Sequence, residues 1–173
     1  GVSLYGGFAG TETQRGQRDP DANETILSGA VGTLTDGSED SVHVVLGGDV
    51  DATAIIDGVS ITGGSADSGT GEYSLGGGLY IVDGSPTVNN VTFKDNQATI
   101  GGAVHIEGSD SKPSFTDCTF SANSVFYDGG AVNSQDASPQ FSNCIFSVNF
   151  ALDGVGGALQ VKGTGLLLAT DCT

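Results

Sequence analysis

Cations are scarce in this chain. Five Lys and Arg stand against 21 Asp and Glu, a formal net charge of −16 over 173 residues. Holding a phosphate backbone needs clustered cations that displace counterions, so a nucleic-acid partner is excluded. Attraction to an anionic lipid surface is excluded on the same ground. Long apolar runs are also missing. Stretches such as Leu166-Leu167-Leu168-Ala169 fall far short of the ~20 residues of a membrane helix, so direct membrane insertion is not expected. Met and Trp are absent and only four prolines occur. No window of eleven or more residues keeps a 3.6-residue apolar period without an interrupting glycine, which excludes helix as the main element.

What the chain has is glycine on a beat. Gly77-Gly78, Gly101-Gly102, Gly129-Gly130 and Gly156-Gly157 are spaced 24, 28 and 27 residues apart. Short runs rich in Val, Ile, Phe and Thr follow each pair, bounded by Gly, Asn, Asp and Ser, and read as strands. Recurrent β-branched and aromatic residues argue against low-complexity disorder. A period in the twenties built of such runs predicts a solenoid. The expected fold is all-β, a right-handed parallel β-helix (β-solenoid) of about seven coils at ~25 residues each. Residues 1–173 read as one domain. Within it, 1–75 form irregular coils with long loops, and 76–173 form the regular ones. The chain opens on Gly1, and its final Asp171-Cys172-Thr173 matches the middle of a repeat, so it reads as a fragment of a longer protein.

Each turn is expected to hold three short strands, stacked in register on the turns beside it at ~4.8 Å. Tyr80, Val104, Val132 and Leu159 then form an inward file. So do Val82, Ile106, Ser134 and Val161, and Val88, Phe115, Phe141 and Leu168. The fourth file is Val91, Cys118, Cys144 and Cys172, and the fifth Phe93, Phe120 and Phe146. Ile81, His105, Asn133 and Gln160 should point outward, because a one-residue slip would turn the core to water. Asn96, Asn123 and Asn149 predict a structural ladder of stacked amides. The glycine pairs are expected at corners that need positive φ or close backbone approach.

Gly101-Gly102-Ala103-Val104 with Phe120-Ser121-Ala122-Asn123, and Gly129-Gly130-Ala131-Val132 with Phe146-Ser147-Val148-Asn149, resemble the GGA-[IV]…FxxN repeats of the right-handed parallel β-helix family of bacterial secreted and surface proteins. That family includes the polymorphic outer-membrane adhesins of chlamydiae. The opening Leu4-Tyr5-Gly6-Gly7-Phe8 and Thr25-Ile26-Leu27-Ser28-Gly29 resemble the entry segment of exported β-helix proteins. The resemblance implies a secreted or cell-surface location. It is specific for fold and says little about activity, since one fold carries many functions.

Chemistry is harder to find. Cys118, Cys144 and Cys172 lack the close CxxC or His partners of a zinc site and read as buried apolar thiols, with a disulfide as the competing reading. His43 and His105 have no Ser or Asp at triad spacing. A hydrolase needs paired carboxylates, yet Glu107 aligns with Asp83, Gln135 and Lys162. A threonine ladder for ice binding is broken where Thr92 and Thr119 give way to Ile145. Asp36, Glu39, Asp40, Asp49, Asp51, Asp128 and Asp153 lie in acid-rich loops or before glycine corners and are the calcium candidates, with solvated loops as the plainer reading. Asn23-Glu24-Thr25 and Asn90-Val91-Thr92 are glycosylation sequons at Asn23 and Asn90.

The expected function is non-catalytic: an extracellular or cell-surface structural protein, serving as adhesin stalk, spacer or filament subunit. Its expected partners are further copies joined through the coil ends, or a host surface or polysaccharide. A polysaccharide-binding or polysaccharide-cleaving β-helix module is the alternative.

Overall fold

A computed structural model describes residues 1–32, 40–67 and 69–173. The chain is an all-β parallel solenoid. Among the described residues the strands fall into four parallel sheets. Sheet I holds Ser3–Tyr5, Ile55–Asp57, Thr87–Asn89, Ser114–Thr116, Gln140–Ser142 and Leu168–Thr170. Sheet II holds Ile26–Ser28, Ser60–Thr62, Thr92–Lys94, Thr119–Ser121 and Ile145–Ser147. Sheet III is made of two-residue strands, Ser65–Ala66, Gln97–Ala98, Ser124–Val125 and Phe150–Ala151. Sheet IV holds Val45–Gly48, Leu79–Val82, Val104–Glu107, Val132–Gln135 and Leu159–Lys162. A turn therefore has four sides, not the three expected: the residues just past the asparagine ladder add the short sheet III.

Four windings visit all four sheets, so the described chain makes about four complete turns and not seven. Dividing length by period overcounts because the early windings are long. Sheet I is revisited after 52 residues from Ser3 to Ile55 and after 32 from Ile55 to Thr87. It is then revisited after 27, 26 and 28 residues.

The stacking places like on like, with two corrections. Leu79, and not Tyr80, pairs with Val104, and Ile81 pairs with Ile106. The sequence holds three consecutive glycines there, Gly76 to Gly78, and two alignments are open. Gly76 takes the positive φ of the corner, matching Gly101, Gly129 and Gly156, and this moves the register by one. Tyr80 and Val82 leave the inward files, Leu79 and Ile81 enter them, and both newcomers are buried. Leu168 pairs with Gln140 and is exposed, while Ala169 stacks on Phe141. One residue more in the loop through Gly163 and Gly165 shifts that strand.

The other files stand as expected. Val59, Val91, Cys118 and Cys144 are buried in line, with Cys172 packed against them. Phe93, Phe120 and Phe146 stack with near-parallel rings, at 5.0 and 4.7 Å between centroids. Phe115 and Phe141 stack beside them at 4.9 Å and meet Phe120 edge-on. These offset and edge contacts add to area burial. The second glycine of the first three pairs, Gly78, Gly102 and Gly130, permits close approach: a Cβ on Gly102 would lie 2.5 Å from the Gly130 carbonyl oxygen.

Each of the four corners carries a residue in the left-handed region. Between sheets I and II it is Gly58, Asn90, Asp117, Asn143 and Asp171. Before the ladder it is Gly63, Asp95, Ala122 and Val148, and after sheet IV it is Asp49, Asp83, Gly108, Asp136 and Gly163. Asn and Asp tolerate this region better than other non-glycine residues.

Candidate functional site

The asparagine ladder forms as predicted. Asn96 Nδ2 and the Asn96 amide both donate to Asn123 Oδ1 at 3.1 Å. Asn123 repeats this onto Asn149 Oδ1, at 2.9 Å from Nδ2 and 3.1 Å from its amide. Each Nδ2 also donates to a backbone carbonyl one winding back, at Ile61, Phe93 and Phe120. The Gly64 amide donates to Asn96 Oδ1 and closes the ladder where its asparagine is missing. These side chains are consumed by the backbone at a corner and have a structural role.

The three cysteines are free thiols. Cys118 and Cys144 are buried, and Cys172 is half-buried. Cys118 Sγ and Cys144 Sγ point to the carbonyls of Val88 and Phe115, one winding away. The hydrogen bond to Cys144, together with burial, pushes the Cys118 thiol upward, so it stays protonated.

The outward file of sheet IV differs most from expectation. Tyr80, His105, Asn133 and Gln160 do leave the barrel interior, but the first three are buried, Tyr80 at 4% exposure and His105 at 1%. The corner glycines lie against them: a Cβ at Gly76 would meet His105 Cβ at 3.1 Å. The Tyr80 hydroxyl donates to Glu107 Oε1, and Asn133 Nδ2 donates to Gln160 Oε1 at 2.6 Å. His43 lies 5.2 Å from Tyr80, ring to ring, and its Nδ1 is 3.1 Å from the Gly76 carbonyl oxygen. Both His105 ring nitrogens lack a hydrogen-bond partner, and Nε2 stands 3.7 Å from Glu107 Oε2. The His105 imidazole, with the Tyr80 hydroxyl, holds the Glu107 carboxyl below its ordinary range against the opposing push of burial. Burial, with Glu107 alongside, raises the Tyr80 phenol. Glu107 pairs in register with Val82 and Gln135, so Asp83 is not its equivalent. Strand alternation marks this side as outward without saying that the corner glycines lie over it, so its burial is not legible in the sequence.

Among the described residues the calcium candidates are not gathered. Asp36 and Glu39 lie outside the described residues. Asp49 is a left-handed corner residue, and Asp51 is bonded to the Thr53 amide at 2.9 Å. Asp128 accepts from Lys162 Nζ at 2.6 Å and from the Val155 amide at 3.1 Å. Lys162 is the first cause of its lowered pKa. Asp40 is half-buried and Asp153 exposed. Among the described residues no three His, Cys, Asp or Glu come together as a metal site. Of the sequons, Asn90 is exposed in a left-handed bend, while Asn23 is half-buried with Nδ2 donating to the Asp19 carbonyl at 3.3 Å.

Both arginines are committed to the first winding. Arg18 pairs with Asp57 at 2.6 Å. Arg15 donates to the Tyr5 hydroxyl at 2.8 Å and lies over its ring. The segment 10–23 carries one 3-10 turn, Arg15–Gln17, and is pinned to sheet I by these contacts. Among the described residues no helix is long and apolar enough to cross a membrane. A scan of protein-family models, a search of curated proteins and a search of solved structures each return no match to this chain.

Proposed function

We propose that this chain is a non-catalytic structural module of the secreted or cell-surface kind, a right-handed β-helix serving as stalk or spacer and stacking head to tail into filaments. The observation that carries this reading is the unbroken register. Among the described residues each sheet pairs in parallel from winding to winding, and sheet I does so through six strands. A winding so built offers its successor the same backbone edge that it received, and an open parallel edge accepts a strand from its own chain or from another copy. The inward files also match at the two edges: Leu4 and Ala169 share one, and Val45 and Leu159 another. The right hand is favoured by the near-universal handedness of parallel β crossovers. The repeats' resemblance to those of bacterial surface adhesins supports the location.

Negative-stain microscopy tests the reading. The net charge of −16 opposes association, so added salt should promote it. Rods that lengthen with protein concentration at raised ionic strength are expected. Rods of one chain's length under every condition would remove the filament. Turnover of a polysaccharide that is abolished by one carboxylate substitution would remove the non-catalytic assignment. A crystal structure showing left-handed winding would remove the hand.

A further inference from the structure

Sheet III alternates as the other sheets do. Ala66, Ala98 and Val125 form a small buried cluster with Ala151 against it. Their neighbours therefore face outward: Ser65, Gln97, Ser124 and Phe150 in one file, and Asp67, Thr99, Phe126 and Leu152 in the next. Together with Tyr127 the outward residues other than Ser65 line a groove of about 460 Å³, a size typical of ligand sites. Its two ends differ. Toward the earlier windings Asp67 Oδ2 accepts from Gln97 Nε2 at 2.6 Å, and Oδ1 accepts from Ser65 Oγ at 3.1 Å. Toward the later windings four large apolar side chains stay in water. Phe150 is 56% and Leu152 62% exposed, and Phe126 and Tyr127 pack edge-on at 4.8 Å and are both exposed. A clustered apolar patch with a polar rim marks an interaction surface.

We propose that this groove binds a neutral polysaccharide chain, lying along the solenoid axis with its rings on Phe150 and Tyr127 and its hydroxyls at Gln97, Thr99 and Ser124. Three observations choose this occupant. The described lining holds no lysine or arginine and a single carboxylate, Asp67, already tied to Gln97 and Ser65; a polyanion finds no counter-charge. Gln97–Ala98 and Ser124–Val125 are paired on both sides, so a peptide cannot add a strand within the groove. Equivalent side chains recur at the strand spacing of ~4.8 Å, close to the advance per sugar of an extended glycan. A pyranose also has the required two-sided chemistry, with C–H faces for aromatic rings and hydroxyls for amide and hydroxyl groups. This site is independent of the filament reading, since it lies on the flank of the windings and not on their end edges.

Calorimetric titration tests it, using hexaoses of β-1,4-glucan, β-1,3-glucan, β-1,4-mannan and β-1,4-linked N-acetylglucosamine, with heparin as the polyanion and a proline-rich peptide as the protein-like probe. At least one hexaose should bind, with an affinity that changes less than twofold between low and high salt. Phe150→Ala, Tyr127→Ala and Gln97→Ala should each weaken it by about tenfold or more. Ile145→Ser, on sheet II, should leave it unchanged. Because Phe150 and Tyr127 are exposed, circular dichroism of these variants should match the parent and separate lost binding from lost folding. No binding to any hexaose, binding only to heparin or to the peptide, or hexaose binding that survives both aromatic substitutions would overturn the proposal.

Discussion

Val148 occupies a left-handed bend with φ 57°, in line with Gly63, Asp95 and Ala122 of earlier windings. A β-branched side chain there crowds its own backbone, at about 1–2 kcal/mol for the left-handed region. Val148 is exposed, so replacing it forfeits little packing. Val148→Asn should therefore raise stability by about 1 kcal/mol, read as an upward shift in the urea midpoint at unchanged slope; a lower midpoint would show that the valine has packing worth more than its strain. Glu107 makes the second residue-scale prediction. Its carboxyl is held below the ordinary value of 4.5, so the unfolded chain takes up this proton first as pH falls. The stabilisation is full above the unfolded value and is lost as pH drops through the folded one. The parent should exceed Glu107→Gln in stability at pH 7, and that margin should shrink below about pH 4.5. The carboxyl is half-buried and partly screened by solvent, so the margin should be about 1 kcal/mol or less. A margin that grows on acidification would mean that His105 and Tyr80 do not favour the charged form.

At the scale of the element, the ladder and the aromatic stack share the winding between them. Asn123 accepts from two groups of Asn96 and donates to the Phe93 carbonyl, all of them buried. Asn123→Ala removes three buried hydrogen bonds at about 1 kcal/mol or more each, and should cost about 3 kcal/mol or more. Asn149 makes the same pattern of bonds but is half-buried, and water can replace part of what Asn149→Ala removes. Equal losses at the two positions in chemical denaturation would mean that burial does not set the ladder's worth. This element was legible in the sequence because FxxN fixes Phe and Asn at one interval in three windings. Elsewhere the register was legible only where its markers were unique. The Cys118–Cys144–Cys172 file fixes its register, but the run Gly76 to Gly78 satisfies two registers, and only the corner's demand for positive φ at Gly76 decides between them. Sheet III was invisible for another reason: Gln97–Ala98 and Ser124–Val125 are two residues long, too short for any alternation to show. The groove on its outer face was invisible with it, because its aromatic and polar residues come from separate windings.

For the whole molecule, a solenoid in which each winding touches only its neighbours should lose its structure from the edges inward. Phe93, Phe115, Phe120 and Phe141 concentrate the aromatic core in the middle windings. The first winding spends 52 residues between Ser3 and Ile55 and exposes Leu4, Ile26 and Leu46. Its anchors are the Arg18–Asp57 pair and the Tyr5–Arg15 contact. Amides of Val104, Phe115 and Phe120 should thus be the last to exchange in native-state hydrogen exchange, with those of the strand Ile26–Ser28 among the first. The formal charge of −16 adds a second handle. Self-repulsion acts on every winding, and salt screens it within about 10 Å at 0.1 M. Raising salt should slow exchange everywhere while keeping the order from centre to edge. Exchange at one common rate, at low and high salt alike, would mean that the windings open as a single unit and that nearest-neighbour stacking is not what limits them.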